Sequence, residues 1–373
     1  MISDSQPLKG AADRLAAAVG ATAAPRTGGS IDLRAALLPF TSLFLSVILL
    51  VLGTGLLGVL IPVRASLEGF PTPVIGLFGT AYYIGFVLGC ALAPKVVRRV
   101  GHIRTFAAFA ALAASASLTH ALIVNAPVWI GLRVGAGFCF AGIYTVIESW
   151  LNDRATNETR GRVLAAYMAV NMAALTGGKL LLTADDPAGT TPFALVCMGI
   201  CLSLVPVALT RSLAPSPPAE AVRPRVARLY RLTPVGVVGC LFIGCANSAF
   251  WSLAPIFAQA RFGSNRGVAL FMAAAVVGGA LAQWPVGRLS DRMDRRRTMV
   301  AVCLAAAGAA LGLALLEGAA GPLALPLVFA FGAAALSLYS VCVAHANDYV
   351  RADEFVEASS ELLMMFGIGA MAG

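Results

Sequence analysis

Apolar residues run on for twenty or so positions at a time, broken by short polar stretches. A bilayer core about 30 Å thick takes about 20 such residues per helix. The runs predict spans at 36–62, 72–93, 103–123, 127–150, 163–183 and 192–210. A polar, Pro- and Arg-rich stretch at 211–232 follows. Further spans are predicted at 233–258, 265–284, 298–316 and 322–344, and a last run starts near 356 and reaches Gly373. The expected fold class is an all-α integral membrane protein. Its six-helix bundle at 35–210 is joined by a linker at 211–232 to a second, incomplete bundle at 233–373.

Composition agrees with this pattern. Hydrophobic residues make up 59% of the chain and charged ones 12%, whereas soluble domains carry about 25% charged residues. Too few polar side chains remain to coat a water-soluble surface, so lipid is the natural solvent. The eight cysteines all fall inside apolar runs without C-x-x-C spacing or a histidine cluster. They read as helix-packing residues, and neither a disulfide framework nor a metal or cofactor site is expected. H-E-x-x-H, G-x-S-x-G and P-loop motifs are absent from the sequence, which argues against an enzyme and against ATP-driven pumping by this chain.

Charge fixes the expected topology. Residues 1–34 are rich in Ala, Gly and Ser, carry Lys9, Arg14, Arg26 and Arg34, and read as a disordered cytoplasmic tail. They lack the compact apolar core of a cleavable signal. With that tail inside, most of the 27 basic residues fall in cytoplasmic loops: Lys95, Arg98, Arg99 and Arg104; Arg154, Arg160 and Arg162; the linker arginines; and Arg288 through Arg297. The opposite loops hold Arg64, Arg261 and Arg266. Positive residues favour the cytoplasmic side, so the formal charge of +9 is explained by topology, without a nucleic-acid partner.

The sequence also repeats. Laying Tyr144-Thr145-Val146 on Tyr339-Ser340-Val341 brings Asn152-Asp153 onto Asn347-Asp348 and Gly178 onto Gly373; nearly the same displacement lays Arg99, Arg104 and Thr105 on Arg292, Arg297 and Thr298. An even number of spans separates the copies, so the halves are parallel. The repeat predicts a twelfth span that the sequence does not reach, and a truncated chain is expected.

The loop Gly287-Arg288-Leu289-Ser290-Asp291-Arg292-Met293-Asp294-Arg295-Arg296-Arg297 closely resembles the major facilitator signature G-x-L-x-D-R-x-G-R-R, with Asp294 in place of the second Gly. Parallel six-helix halves are an arrangement of that superfamily. The matching first-half loop keeps Arg98, Arg99 and Gly101 but has Arg98 opposite Asp291, so Glu148 is expected to supply the acid. Thr159-Arg160-Gly161-Arg162 resembles the superfamily's R-G-R motif. Leu132-Arg133-Val134-Gly135 resembles the helix-4 arginine motif of proton-coupled efflux proteins. With Glu148-Ser149-Trp150-Leu151-Asn152 and His345-Ala346-Asn347-Asp348, these segments resemble a poorly characterised bacterial subgroup of the superfamily.

The resemblance implies a cytoplasmic gate of Gly287, Asp291, Arg292, Arg295, Arg98, Arg99, Gly101, Glu148 and Arg160, with Gly287 allowing close helix approach and the charges making state-dependent links. Arg133, an intramembrane charge, is expected to face a cavity or to snorkel. Asn247, Asn171 and Trp251 are further cavity candidates. Lys179 is expected to snorkel toward Asp185 and Asp186, Trp284 to anchor at the interface, His102 to lie in a solvated loop, and His345 and Glu361 to be gate or loop residues. The implied function is secondary transport of a small solute by alternating access, proton-coupled and leaning to efflux, by a monomer in a bacterial inner membrane. A uniporter, or a transporter-like receptor or scaffold, is the alternative.

Overall fold

The computed structural model describes residues 40–154, 159–209, 226–316, 323–351 and 355–373. The tail at 1–34 and most of the linker lie outside these residues. Among them the chain is helical throughout: α1 (Thr41–Leu67), α2 (Thr72–Val100), α3 (His102–Leu122), α4 (Ala126–Arg154), α5 (Arg160–Leu180), α6 (Thr191–Ala208), α7 (Val226–Leu232), α8 (Pro234–Phe262), α9 (Asn265–Arg292), α10 (Arg295–Leu315), α11 (Ala324–Ala335), α12 (Leu338–Asn347) and α13 (Phe355–Ala372). Ten spans are long and apolar enough to cross a membrane, with α11 and α12 counting as one, and α13 is a shorter apolar helix. The longest, at 29 residues, extend about 43 Å.

Two predictions of extent change. The linker's last residues fold into α7, one short helix before Pro234 opens α8. The predicted span 322–344 is interrupted between α11 and α12. There the Ser337 hydroxyl donates to the carbonyls of Ala333 and Ala334 and Ser340 donates to that of Ser337. Gln283 of α9 braces the break, its amide nitrogen donating to the Leu336 carbonyl at 3.3 Å while its oxygen accepts from Ser340 at 3.2 Å.

Turn chemistry sets the helix ends. Gly101, at φ +89°, both ends α2 and starts α3, a conformation that favours glycine. Asp294, at the matching place in the second half, instead caps α10 by accepting from the amides of Arg296 and Arg297. The end of the bundle carrying the α2–α3 and α9–α10 turns, with Arg98, Arg99 and Arg295 to Arg297, is the basic end. At the opposite end the guanidinium of Arg64, buried at the close of α1, pairs with Glu68 at 2.6 Å and donates to the carbonyls of Pro187, Ala188 and Gly189. It ties α1 to the α5–α6 loop.

Packing reproduces the repeat. In the first half α2 lies against α4, α1 against α5 and α6, and α3 against α4 and α6; in the second α9 lies against α11, α8 against α13, and α10 against α11. The halves meet where α2 touches α13, α5 touches α9, and α8 touches α1 and α2. Glycines make the tightest approaches equivalent. An added Cβ on Gly85 or Gly137 would strike backbone across the α2–α4 contact, and one on Gly278 or Gly332 would strike backbone across the α9–α11 contact. Small residues allow such approaches in apolar bundles, where water drives no helix association.

Candidate functional site

A cavity of about 210 Å³ opens between the halves, walled by α1, α2, α4, α5 and α8. Its walls are aromatic and aliphatic, with Phe78, Tyr82, Tyr83, Phe140, Tyr144 and Trp251 among them, and its charged side chains are Arg133 and Lys179. The close α2–α4 contact positions Arg133. Its Nε donates to the Phe78 carbonyl at 3.3 Å, and the guanidinium lies 4.5 Å from the centre of the Tyr82 ring. Phe78 is held from behind by Trp129, at 5.5 Å.

Lys179 also reaches the cavity, and the snorkelling expected of it is not what the fold does. The side chain is 3% exposed. The contact of Gly178 with the Leu52 carbonyl and Gly55 of α1 seats this end of α5 against α1. A Cβ on Gly58 would lie 3.1 Å from the Lys179 nitrogen, so the bare glycine leaves room for the ammonium to turn inward. It stops 5.0 Å from the ring centre of Trp251, which the second half supplies. Asp185 and Asp186 are engaged elsewhere: Asp185 accepts from the amide of Asp186, and Asp186 from that of Ala188. A bond from Thr191 and the Asp186 amide hold the Asp185 carboxyl below its usual range.

The halves are also in contact around this cavity. The Thr80 hydroxyl donates to the Met371 carbonyl at 3.0 Å, Gly79 lies against Ser252, and Tyr83 meets Phe366 at 6.4 Å. Toward the basic end, Tyr144 lines the cavity and Glu148 follows one turn on. Glu148 is exposed, yet Cys90, Tyr144 and Tyr167 of the first half and Tyr339 of the second lie close to it.

The other sequence candidates separate. Trp251 lines the cavity. Asn247, four residues before it, lines an apolar groove of about 1010 Å³ bounded by α8, α10, α11 and α12. Four residues advance a helix about 40° beyond a full turn, and on α8 that rotation carries Asn247 out of the central wall. In the first half α6 lies against α1 and α3, the counterparts of α8 and α10, so the groove matches the place that α6 fills. Asn171 bonds with Tyr167 on its own helix and is not among the cavity walls.

At the basic end Arg295 pairs with Asp348 at 2.6 Å and with Asp291 at 3.4 Å, joining the start of α10 to the end of α12 within the second half. Arg292, Arg98 and Arg99 are exposed. Gly287 does not mediate the close approach expected of it, because a Cβ there would meet open space. Arg160 opens α5, but its side chain lies outside the described residues. His102 corrects another expectation: it is 2% exposed, bonds Ser149 at 3.0 Å and lies near Asp153. By the repeat it occupies the position of Arg295, and Asp153 that of Asp348. His345 and Glu361 are likewise buried on α12 and α13. Trp284 is exposed as an interfacial anchor should be, with Arg288 stacked 4.0 Å over its ring.

A sequence model of the Major Facilitator Superfamily matches residues 43–373. An uncharacterized MFS-type transporter of Enterobacter sp. (strain 638) is 30% identical over 341 residues, covering 90% of this chain and 87% of that protein. The uncharacterized MFS-type transporter YcaD of Escherichia fergusonii is 28% identical over 337 residues, with the same coverage. Among solved structures, the nucleoside transporter NupG superposes with a TM-score of 0.73 at 13% identity, covering 92% of this chain and 89% of its own. A D-xylose-proton symporter superposes with a TM-score of 0.68 at 16% identity, covering 89% and 87%.

Proposed function

We propose, from the premise that this chain belongs to the Major Facilitator Superfamily, that it carries a small solute through the cavity between Arg133 and Trp251 by alternating access, coupled to proton movement. A transporter of this superfamily works without enzymatic chemistry on its cargo, and the arrangement supports that reading. The observation that carries the proposal is a cavity walled by both halves, with Arg133 and Lys179 of the first and Trp251 and Ser252 of the second lining it. Substrate sites near the midplane between repeats are the common secondary-transporter arrangement.

Glu148 is the proposed proton carrier. It is exposed and stands one turn from Tyr144 of the cavity wall, where a carboxylate can exchange protons with water and sense the charge of the cavity. The D-xylose-proton symporter among the structural neighbours lends support to proton coupling. The basic end is assigned to the cytoplasm by the bias of its arginines, in a bacterial inner membrane, and the likeness of the Arg133 segment to efflux carriers assigns the outward direction.

Reconstitution into liposomes tests this. An imposed pH gradient across vesicles carrying the protein should drive accumulation of a solute from a chemically mixed panel, and Glu148→Gln should abolish the gradient's effect while leaving solute exchange intact. Gradient-driven flux that survives in Glu148→Gln removes Glu148 from the coupling. A panel without any flux supports a receptor or scaffold instead.

A further inference from the structure

The charge inventory of the cavity points to the class of solute. Arg133 and Lys179 line one space of about 210 Å³, and no Asp, Glu or His shares its wall. Among the described residues no carboxylate lies within salt-bridge distance of the Lys179 ammonium, which is 97% buried by its 3% exposure. It lies over the face of Trp251. A buried ammonium loses far more hydration free energy than an aromatic face returns. Arg133 meets a backbone carbonyl and the Tyr82 ring, again without neutralisation of its charge. Two basic side chains line one small cavity, each resting on an aromatic face, and its wall offers neither of them a counter-charge.

From this geometry we infer that the cavity binds a small organic carboxylate, its oxygens between Arg133 and Lys179 and its body against Phe78, Phe140, Leu57 and Ile61. The inference rests on the reading of this cavity as the transport site. Guanidinium and ammonium both form charge-assisted hydrogen bonds to carboxylate oxygens, and the hydroxyls of Tyr82, Tyr83, Tyr144 and Ser252, also in the wall, add neutral donors. The apolar surfaces favour a carbon skeleton over a hydrated inorganic anion, whose remaining oxygens they would leave without partners. At about 30 Å³ per water, the space of about 210 Å³ equals about seven waters, room enough for a small acid such as benzoate. Lys179 contributes a second feature: its ammonium touches Trp251 of the other half, so an anion drawn to it sits at the boundary between the halves, where its charge acts on their separation.

Thermal stabilisation of the purified full chain tests the proposal, with benzoate, lactate and succinate each set against its amide, benzamide, lactamide and succinamide. Ligand that binds the native state raises the melting temperature. At least one acid should stabilise in a concentration-dependent way while its amide does not. Lys179→Gln should weaken that acid about ten- to hundredfold, as loss of one charge-assisted bond predicts, and Lys179→Arg should restore part of the affinity. If Lys179→Gln does not fold, the comparison of acids with amides on the unchanged chain decides alone. Equal stabilisation by acid and amide, stabilisation by benzylamine, or no response to any of the three acids overturns the inference. Liposome flux separates the two readings: an acid that binds but is not moved sinks transport and leaves the anion site. A neutral solute that is moved, with the acids inert, sinks the anion site and leaves transport.

Discussion

At the scale of single residues, what a charged side chain does is decided by the first few ångströms around it. Lys179 and Arg64 both stand near the opposite end of the bundle and both are buried, yet they serve different ends. Arg64 finds a carboxylate and three carbonyls and becomes a strut. Lys179 finds Gly58 and Trp251 and becomes part of a cavity wall. Asp294 illustrates a third outcome, since the amides of Arg296 and Arg297 hold its carboxyl below the usual range. A carboxyl whose pKa is lower folded than unfolded contributes stability above its unfolded value, near 3.9, and loses it as pH falls through the folded value. The melting-temperature gap between the unchanged protein and Asp294→Ala should therefore be full at neutral pH and close on acidification below about pH 4. A gap that persists unchanged at low pH would mean that Asp294 acts through packing and not through its charge.

At the scale of elements, the paired glycines are the strongest link from sequence to packing. Gly85 and Gly137 let α2 and α4 touch backbone to backbone, and Gly278 and Gly332 do the same for α9 and α11. The first of these contacts also sets Arg133 against Tyr82 and the carbonyl of Phe78, so packing and site are one construction. Gly137→Leu and Gly332→Leu should each force their helices apart, at a cost of about 1–3 kcal/mol or more, and reduce the monodisperse fraction on size exclusion. Because the approaches are equivalent, the two substitutions should do similar damage. A wild-type profile for Gly332→Leu beside a collapsed one for Gly137→Leu would show that the second half tolerates a looser contact and that the equivalence is only geometric.

At the scale of the whole molecule, the proposed alternating access requires the two ends to differ, closed at the opposite end while open at the basic end, toward which the exposed Glu148 lies. An alternating carrier resting in this arrangement should admit a membrane-impermeant maleimide to Glu148→Cys, in a background lacking the native cysteines, from the basic side alone. It should protect Lys179→Cys from the same reagent applied at the opposite side. Labelling of both positions from the opposite side would contradict a closed opposite end, and with it the resting state described.

The sequence by itself determined where the apolar spans lie, the parallel repeat and the membership of a transporter superfamily. Each of these is written in long-range patterns: apolar runs matched to bilayer thickness, arginines gathered on alternate loops, and glycines and motif residues recurring half a chain apart. Arg133 and Trp251 were legible too, as a charge and a large aromatic inside apolar runs. What only the tertiary structure decided is which way each helix faces. Lipid is as apolar as a neighbouring helix, so a membrane span that is apolar all round carries no stripe by which to read its rotation. Asn247 was therefore placed on the central wall and lies on the lateral groove, Lys179 was sent to the surface and lies in the cavity, and Gly287 was given a contact that is open space. A lysine inside a predicted span was the signal available for the second cation, and only the bare face of Gly58 on another helix, far away in sequence, made room for it to turn inward.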